Sequence, residues 1–68
     1  MVNEQERTRI GAMIRERRQE LGLTLAELSK LTGFDSPHLS RIEQGKYNVT
    51  IDTLSVIATA LGKQISFG

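Results

Sequence analysis

The sequence predicts an all-α fold of four short helices in one domain spanning residues 1–68. Three observations carry that expectation. A capping-type residue, then apolar residues at helical spacing, then a glycine recurs along the chain: Asn3 to Gly22, Thr24 to Gly33, Ser36 to Gly45 and Thr50 to Gly62. Alternation of period two is confined to the last few residues. The 68 residues include no cysteine, so one small core must hold the fold without a disulfide or a thiolate zinc site.

The first helix opens at Asn3, whose side chain can cap it, with Glu6 as its capping-box partner. Ile10, Met13, Ile14 and Leu21 give one apolar stripe, and Gly22 followed by Leu23 is a Schellman-type stop. Gly11 inside this helix costs about 1 kcal/mol against alanine. Close packing against a neighbouring helix would account for it. The stretch Leu23 to Gln44 organises the rest of the chain. Thr24 caps a second helix and Glu27 completes its capping box. Leu25 and Leu28 face inward, with Leu31 near the end, and Gly33 stops the helix. Phe34 follows as the hydrophobic contact of the turn. Ser36 then caps a third helix, with Pro37 at its first position, where a missing N–H is harmless. Leu39 and Ile42 are its buried side. After the loop GKYNVT, Thr50 caps a fourth helix, and Asp52 suits the positive end of its dipole. Ile51, Leu54, Ile57, Ala58 and Leu61 form its apolar face, ended by Gly62. In the tail, residues 63–68, Ile65 and Phe67 alternate with Gln64 and Ser66 as in a very short extended strand.

Composition excludes more than it assigns. The single histidine has no second ligand at metal-binding spacing, and Ser40 sits two residues from His38, so the two do not face each other on a helix. No phosphate-loop pattern occurs. An enzyme, a cofactor and a metal centre are therefore not expected. Nothing reads as a signal peptide or membrane span, so no membrane partner is expected and the expected location is cytoplasmic. The net charge is only +1, but Arg7, Arg9, Arg15, Arg17 and Arg18 fall in the first helix and Arg41 and Lys46 lie around the third. Such local concentration is compatible with a nucleic-acid patch and equally with a solvated face salted by Glu4, Glu6, Glu16 and Glu20.

Two short helices joined by a glycine turn, the second with an exposed polar face, describe a helix-turn-helix at residues 24–44. The chain resembles the phage-repressor and Cro (XRE) family. The residues that carry the resemblance are Leu23-Thr24, Glu27-Leu28, Gly33, Leu39, then Ile42-Glu43-Gln44-Gly45. Downstream they are Thr53-Leu54 and Ile57-Ala58-Thr59-Ala60-Leu61. Leu25 stands where many members carry a phosphate-binding glutamine, and Ser29 where alanine is usual.

The resemblance implies a compact four-helix, lambda-repressor-like fold and sequence-specific binding of double-stranded operator DNA by a transcriptional regulator, a repressor. Carried over residue by residue, it places Ser36, Pro37, Ser40, Arg41 and Gln44 at base edges in the major groove. Arg41 is the best reader, since a guanidinium can hold O6 and N7 of guanine together. Thr24, Leu25, His38, Lys46, Tyr47 and Asn48 fall at phosphate-contact positions. Glu43 pairs with Arg18 in the family pattern, a structural tie between the first and third helices. Family members usually bind as two-fold dimers, and those of the phage-repressor kind commonly continue into a fifth helix. Here the tail offers Ile65 and Phe67 instead, as a strand that can pair with its copy in a homodimer. An antitoxin that binds both DNA and a toxin-type protein partner is the second reading.

Overall fold

The computed structural model describes residues 4–66. Four helices follow in order: α1 Glu4–Glu20, α2 Leu25–Thr32, α3 Ser36–Glu43 and α4 Ile51–Ala60. No strand occurs among the described residues. Residues 63–66 carry no strand, Ile65 is 44% exposed, and Phe67 and the expected cap Asn3 lie outside the described residues.

Among the described residues, α2, α3 and α4 each start at a side-chain cap. The Thr24 hydroxyl accepts from the Glu27 amide, and the Glu27 carboxylate accepts from the Thr24 amide, so the capping box of α2 is closed. Thr50 caps α4 by accepting from the Thr53 amide. The cap of α3 differs from the sequence expectation. Asp35, not Ser36, is the N-cap, and its carboxylate accepts from the His38 amide at 3.3 Å. Ser36 is already helical and Pro37 occupies the second position of the helix, where an N–H is equally dispensable.

One core sits where the four helices meet: Ile14, Leu28, Leu39, Ile42, Ile57 and Leu61 are buried, with Leu25, Phe34, Val49 and Leu54 packed around them. α3 packs on both α1 and α2, and α2 also packs on α4. The expected apolar stripes were too wide. Met13 and Leu31 are each 58% exposed and Ile51 is 78% exposed. Each lies at the margin of a helix whose inward face is filled by its neighbours on the same side: Ile14, Leu28 and Ile57.

At Gly11 the backbone of α3 lies directly against α1. A Cβ there would overlap the Ile42 carbonyl oxygen and stand 2.6 Å from that of Glu43. The glycine inside α1 is therefore the reason the C-terminal turn of α3 can lie directly on α1.

Candidate nucleic-acid interface

The turn between α2 and α3 is fixed from several directions. Gly33 takes φ +82° and donates its amide to the Ser29 carbonyl, which ends α2. The Thr32 hydroxyl donates to the Leu28 carbonyl at 2.9 Å and accepts from the Phe34 amide at 3.2 Å. Asp35 then starts α3, so only Phe34 separates the left-handed glycine from the cap. Its carboxylate also favours the positive end of the α3 dipole. The sequence signal for Asp35 was present: aspartate and serine are equally good caps, and Pro37 fits the first or second helical position.

α3 is two-faced. Leu39, Ile42 and Glu43 are buried, and at 100° per residue the opposite side carries Pro37, Arg41 and Gln44, all exposed. These three, spaced four and three apart, make one outward stripe. Ser40 lies beside the stripe and Ser36 at its flank, both half-buried. Gln44 Nε2 donates to Ser40 Oγ at 2.9 Å, which orients the glutamine amide and leaves its carbonyl oxygen as an acceptor. The stripe thus presents an apolar ring, a five-donor fork and an oriented amide, a set able to address base edges.

The phosphate candidates divide into two places. At the start of α2, Thr24 is exposed while Leu25 is half-buried against the core. The capping box already uses the amides of Thr24 and Glu27. The amides of Leu25 and Ala26 are those a helix start leaves for an outside acceptor. The Thr24 amide, and then its hydroxyl, hold the Glu27 carboxyl below its usual range. After α3, Gly45 takes φ +75° and its amide donates to the Ile42 carbonyl, while the Lys46 amide donates to the Arg41 carbonyl. That stop leaves Lys46, Tyr47 and Asn48 exposed on the surface beyond α3. His38 is placed differently from the other candidates. Its ring lies between those of Phe34, 5.9 Å away, and Tyr47, 4.5 Å away and edge-on. No local periodicity announces that cluster, because Tyr47 follows His38 by two turns of helix and a stop.

Arg18 and Glu43 meet in a two-pronged ion pair. Arg18 Nε donates to Glu43 Oε2 at 2.7 Å and Nη2 to Oε1 at 3.1 Å. Nη1 donates to the Leu23 carbonyl at 2.7 Å, so the guanidinium also holds the chain between α1 and α2. The side chains are only 11% and 6% exposed. The hydrogen-bonded carboxylate raises the Arg18 pKa further. A negative charge on α3 is thereby neutralised from within.

Other arginines of α1 are also engaged internally. Arg9 pairs with Glu6. Arg17 Nε donates to the Leu61 carbonyl at 3.0 Å and Nη1 to Glu20. Arg17 therefore satisfies a carbonyl at the C-terminus of α4, a role sequence reading missed because the two are 44 residues apart. Among the described residues, no three His, Asp or Glu side chains cluster as metal ligands do, and no helix is long and apolar enough to cross a membrane.

Comparison with known proteins agrees with this geometry. The helix-turn-helix family HTH_3 matches residues 14–67. An HTH-type transcriptional regulator of Haemophilus influenzae is 39% identical over 49 residues, 72% of this chain and 50% of that protein. The immunity repressor protein of Bacillus phage phi105 is 35% identical over 57 residues, 84% of this chain and 40% of the repressor. The crystal structure of the clp gene regulator ClgR from C. glutamicum matches with a TM-score of 0.84 and 32% identity, over 87% of this chain and 76% of that one. The chain thus spans half or less of the length of those two curated relatives. The fold they share is the lambda-repressor-like one expected from the sequence. Since the match runs from within α1 through the turn and α4, the chain belongs to the helix-turn-helix family HTH_3, of the phage-repressor and Cro type.

Proposed function

We propose that this chain binds double-stranded DNA in a sequence-specific manner and serves as a transcriptional regulator, a repressor, rather than an enzyme. The observation that carries this reading is the outward stripe Pro37–Arg41–Gln44 on a short helix held rigidly from behind by its packing on α1 and α2. In this reading Ser36, Pro37, Ser40, Arg41 and Gln44 meet base edges, while the start of α2 at Thr24 and Leu25 and the loop Lys46, Tyr47 and Asn48 meet phosphates. The names of the relatives, regulators and a repressor, favour DNA over a toxin-type protein as the partner. Cytoplasmic residence accords with that partner.

The test is a DNA-binding titration on a duplex selected from a random pool, repeated over a range of salt. Arg41→Ala is expected to cost about 1–3 kcal/mol and to relax selection at one base pair per half-site. Lys46→Ala is expected to weaken binding to every duplex alike and to make the salt slope shallower by about one unit. Wild-type protein with no salt-dependent affinity for any duplex overturns the reading.

The proposed working form is a two-fold homodimer, because a helix as short as α3 reads few base pairs and two copies can address half-sites about 34 Å apart. Support comes from Ile65, a large apolar side chain left exposed just past α4; Phe67 is proposed to act with it. Sedimentation at high protein concentration should show the dimer without DNA. A monomer there rules out pairing through the tail.

A further inference from the structure

We propose that His38 is a positioning residue. Its ring clamps Tyr47, and through it the loop of Lys46 to Asn48, so that this loop meets the DNA backbone in a fixed place. The proposal rests on the DNA-binding reading above, but its first step can be measured in the free protein.

The geometry runs outward from the core in three rings. Phe34 packs against the buried cluster. The His38 ring sits 5.9 Å from it, tilted by 58°. The Tyr47 ring meets His38 edge-on at 4.5 Å and 72°. Edge-to-face pairs at such separations are attractive beyond the area they bury. Among the described residues no hydrogen bond holds Tyr47. The Lys46 amide is the last backbone donor of the α3 stop, and Thr50 is the next cap. Between them Tyr47, Asn48 and Val49 make no hydrogen bond among the described residues, and Tyr47 and Asn48 stand exposed while Val49 packs against the core. A loop this sparsely tied loses freedom when it docks, and ordering it in advance strengthens binding without a new contact. His38 also lies off the Pro37–Arg41–Gln44 stripe, about 60° round α3 from Arg41 at its nearer edge, so it flanks the base-facing side rather than belonging to it.

Both ring nitrogens of His38 are free of protein partners among the described residues, so a direct phosphate contact is the competing role. Three substitutions separate the two. His38→Phe keeps the ring and removes the hydrogen-bonding nitrogens. His38→Gln keeps a donor and removes the ring, and His38→Ala removes both. The chain has one tyrosine and no tryptophan, so its ultraviolet emission reports on Tyr47 alone. In the free protein, the anisotropy of that emission should fall in His38→Ala and His38→Gln and hold in His38→Phe. On the selected duplex and on a scrambled one, the Ala and Gln variants should bind about 3- to 10-fold more weakly. Their salt slope should stay unchanged, and the Phe variant should stay close to wild type.

The opposite pattern overturns the proposal: affinity kept by Gln and lost by Phe, with a slope shallower by about one unit, marks a phosphate contact. Anisotropy that no substitution moves overturns it too. Should the Ala or Gln variant fail to fold by circular dichroism, Overhauser contacts between the His38 and Tyr47 rings of the wild-type chain decide the clamp, and their absence refutes it. Wild-type protein that shows the clamp but binds no DNA would instead refute the function proposed for the surface.

Discussion

Gly11→Ala is expected to lower stability by about 3 kcal/mol or more, although helix propensity alone predicts a gain of about 1 kcal/mol. The two effects have opposite signs, and the geometry decides between them. The new methyl would overlap the Ile42 carbonyl oxygen and stand 2.6 Å from the Glu43 carbonyl oxygen and 2.9 Å from the Glu43 carbonyl carbon. All three are backbone atoms, so no rotamer change relieves the overlap. Either α1 moves off α3 or the last turn of α3 unwinds. That turn carries Ile42 in the core, Glu43 in its ion pair and the stop that presents Lys46. In a domain of this size a loss of 3 kcal/mol is a large part of the total. Urea unfolding followed by circular dichroism reads the result. Ala12→Gly, one residue along on the exposed side of α1, is the control and should cost only about 1 kcal/mol. A Gly11→Ala midpoint at or above wild type would mean that the helices separate freely at this crossing.

Gly11 also shows how far the sequence could be read. A glycine inside a helix is visibly costly, so close packing was a fair inference, but nothing local names Ile42 and Glu43 as the atoms it admits. The capping box of α2 and the glycine stops were legible because their partners lie within five residues, as Thr24 with Glu27 and the Lys46 amide with the Arg41 carbonyl show. Where two neighbours had the same chemistry, the boundary slipped by one: Asp35 caps α3 where Ser36 was expected. Apolar spacing marked the buried faces but not their width. Met13, Leu31 and Ile51 fit the stripes and stand exposed, because a short helix touching one or two neighbours buries only part of its apolar side.

The candidate surface divides in the same way. Pro37, Arg41 and Gln44 could be placed on one side of α3 by angle alone, since burial of Leu39 and Ile42 fixes the helix's rotation. The ring contact of His38 with Tyr47 and the grip of Arg17 on the Leu61 carbonyl could not. They depend on how the chain returns on itself after leaving a helix. Arg18 and Glu43 lie between these cases. They are 25 residues apart, and only the family resemblance linked them before the structure placed them 2.7 Å apart.

The largest test of the interface's foundation is the double-mutant cycle on that pair. Arg18→Met or Glu43→Leu alone is expected to cost about 3–5 kcal/mol, because each leaves a charge in a nearly closed site with its partner gone. With Glu43 replaced, the guanidinium keeps only its bond to the Leu23 carbonyl at 2.7 Å. With Arg18 replaced, the Glu43 carboxylate faces the α1–α3 contact unpaired, and the Leu23 carbonyl also loses its donor. The two losses are therefore not equal: Arg18→Met should be the worse by about 1 kcal/mol, the cost of the orphaned carbonyl. The double variant removes both charges and should cost much less than the sum of the singles, since apolar side chains of similar volume can fill the space. What remains in the double variant should be close to that one carbonyl. Urea unfolding of the four proteins gives the cycle directly. Losses that simply add would mean the two charges do not sense each other across the helix crossing. The DNA readout then adds a second criterion. Neither residue belongs to the outward stripe, so the folded double variant should select the same base pairs as wild type, while any change in selected sequence would place one of the two charges at the groove.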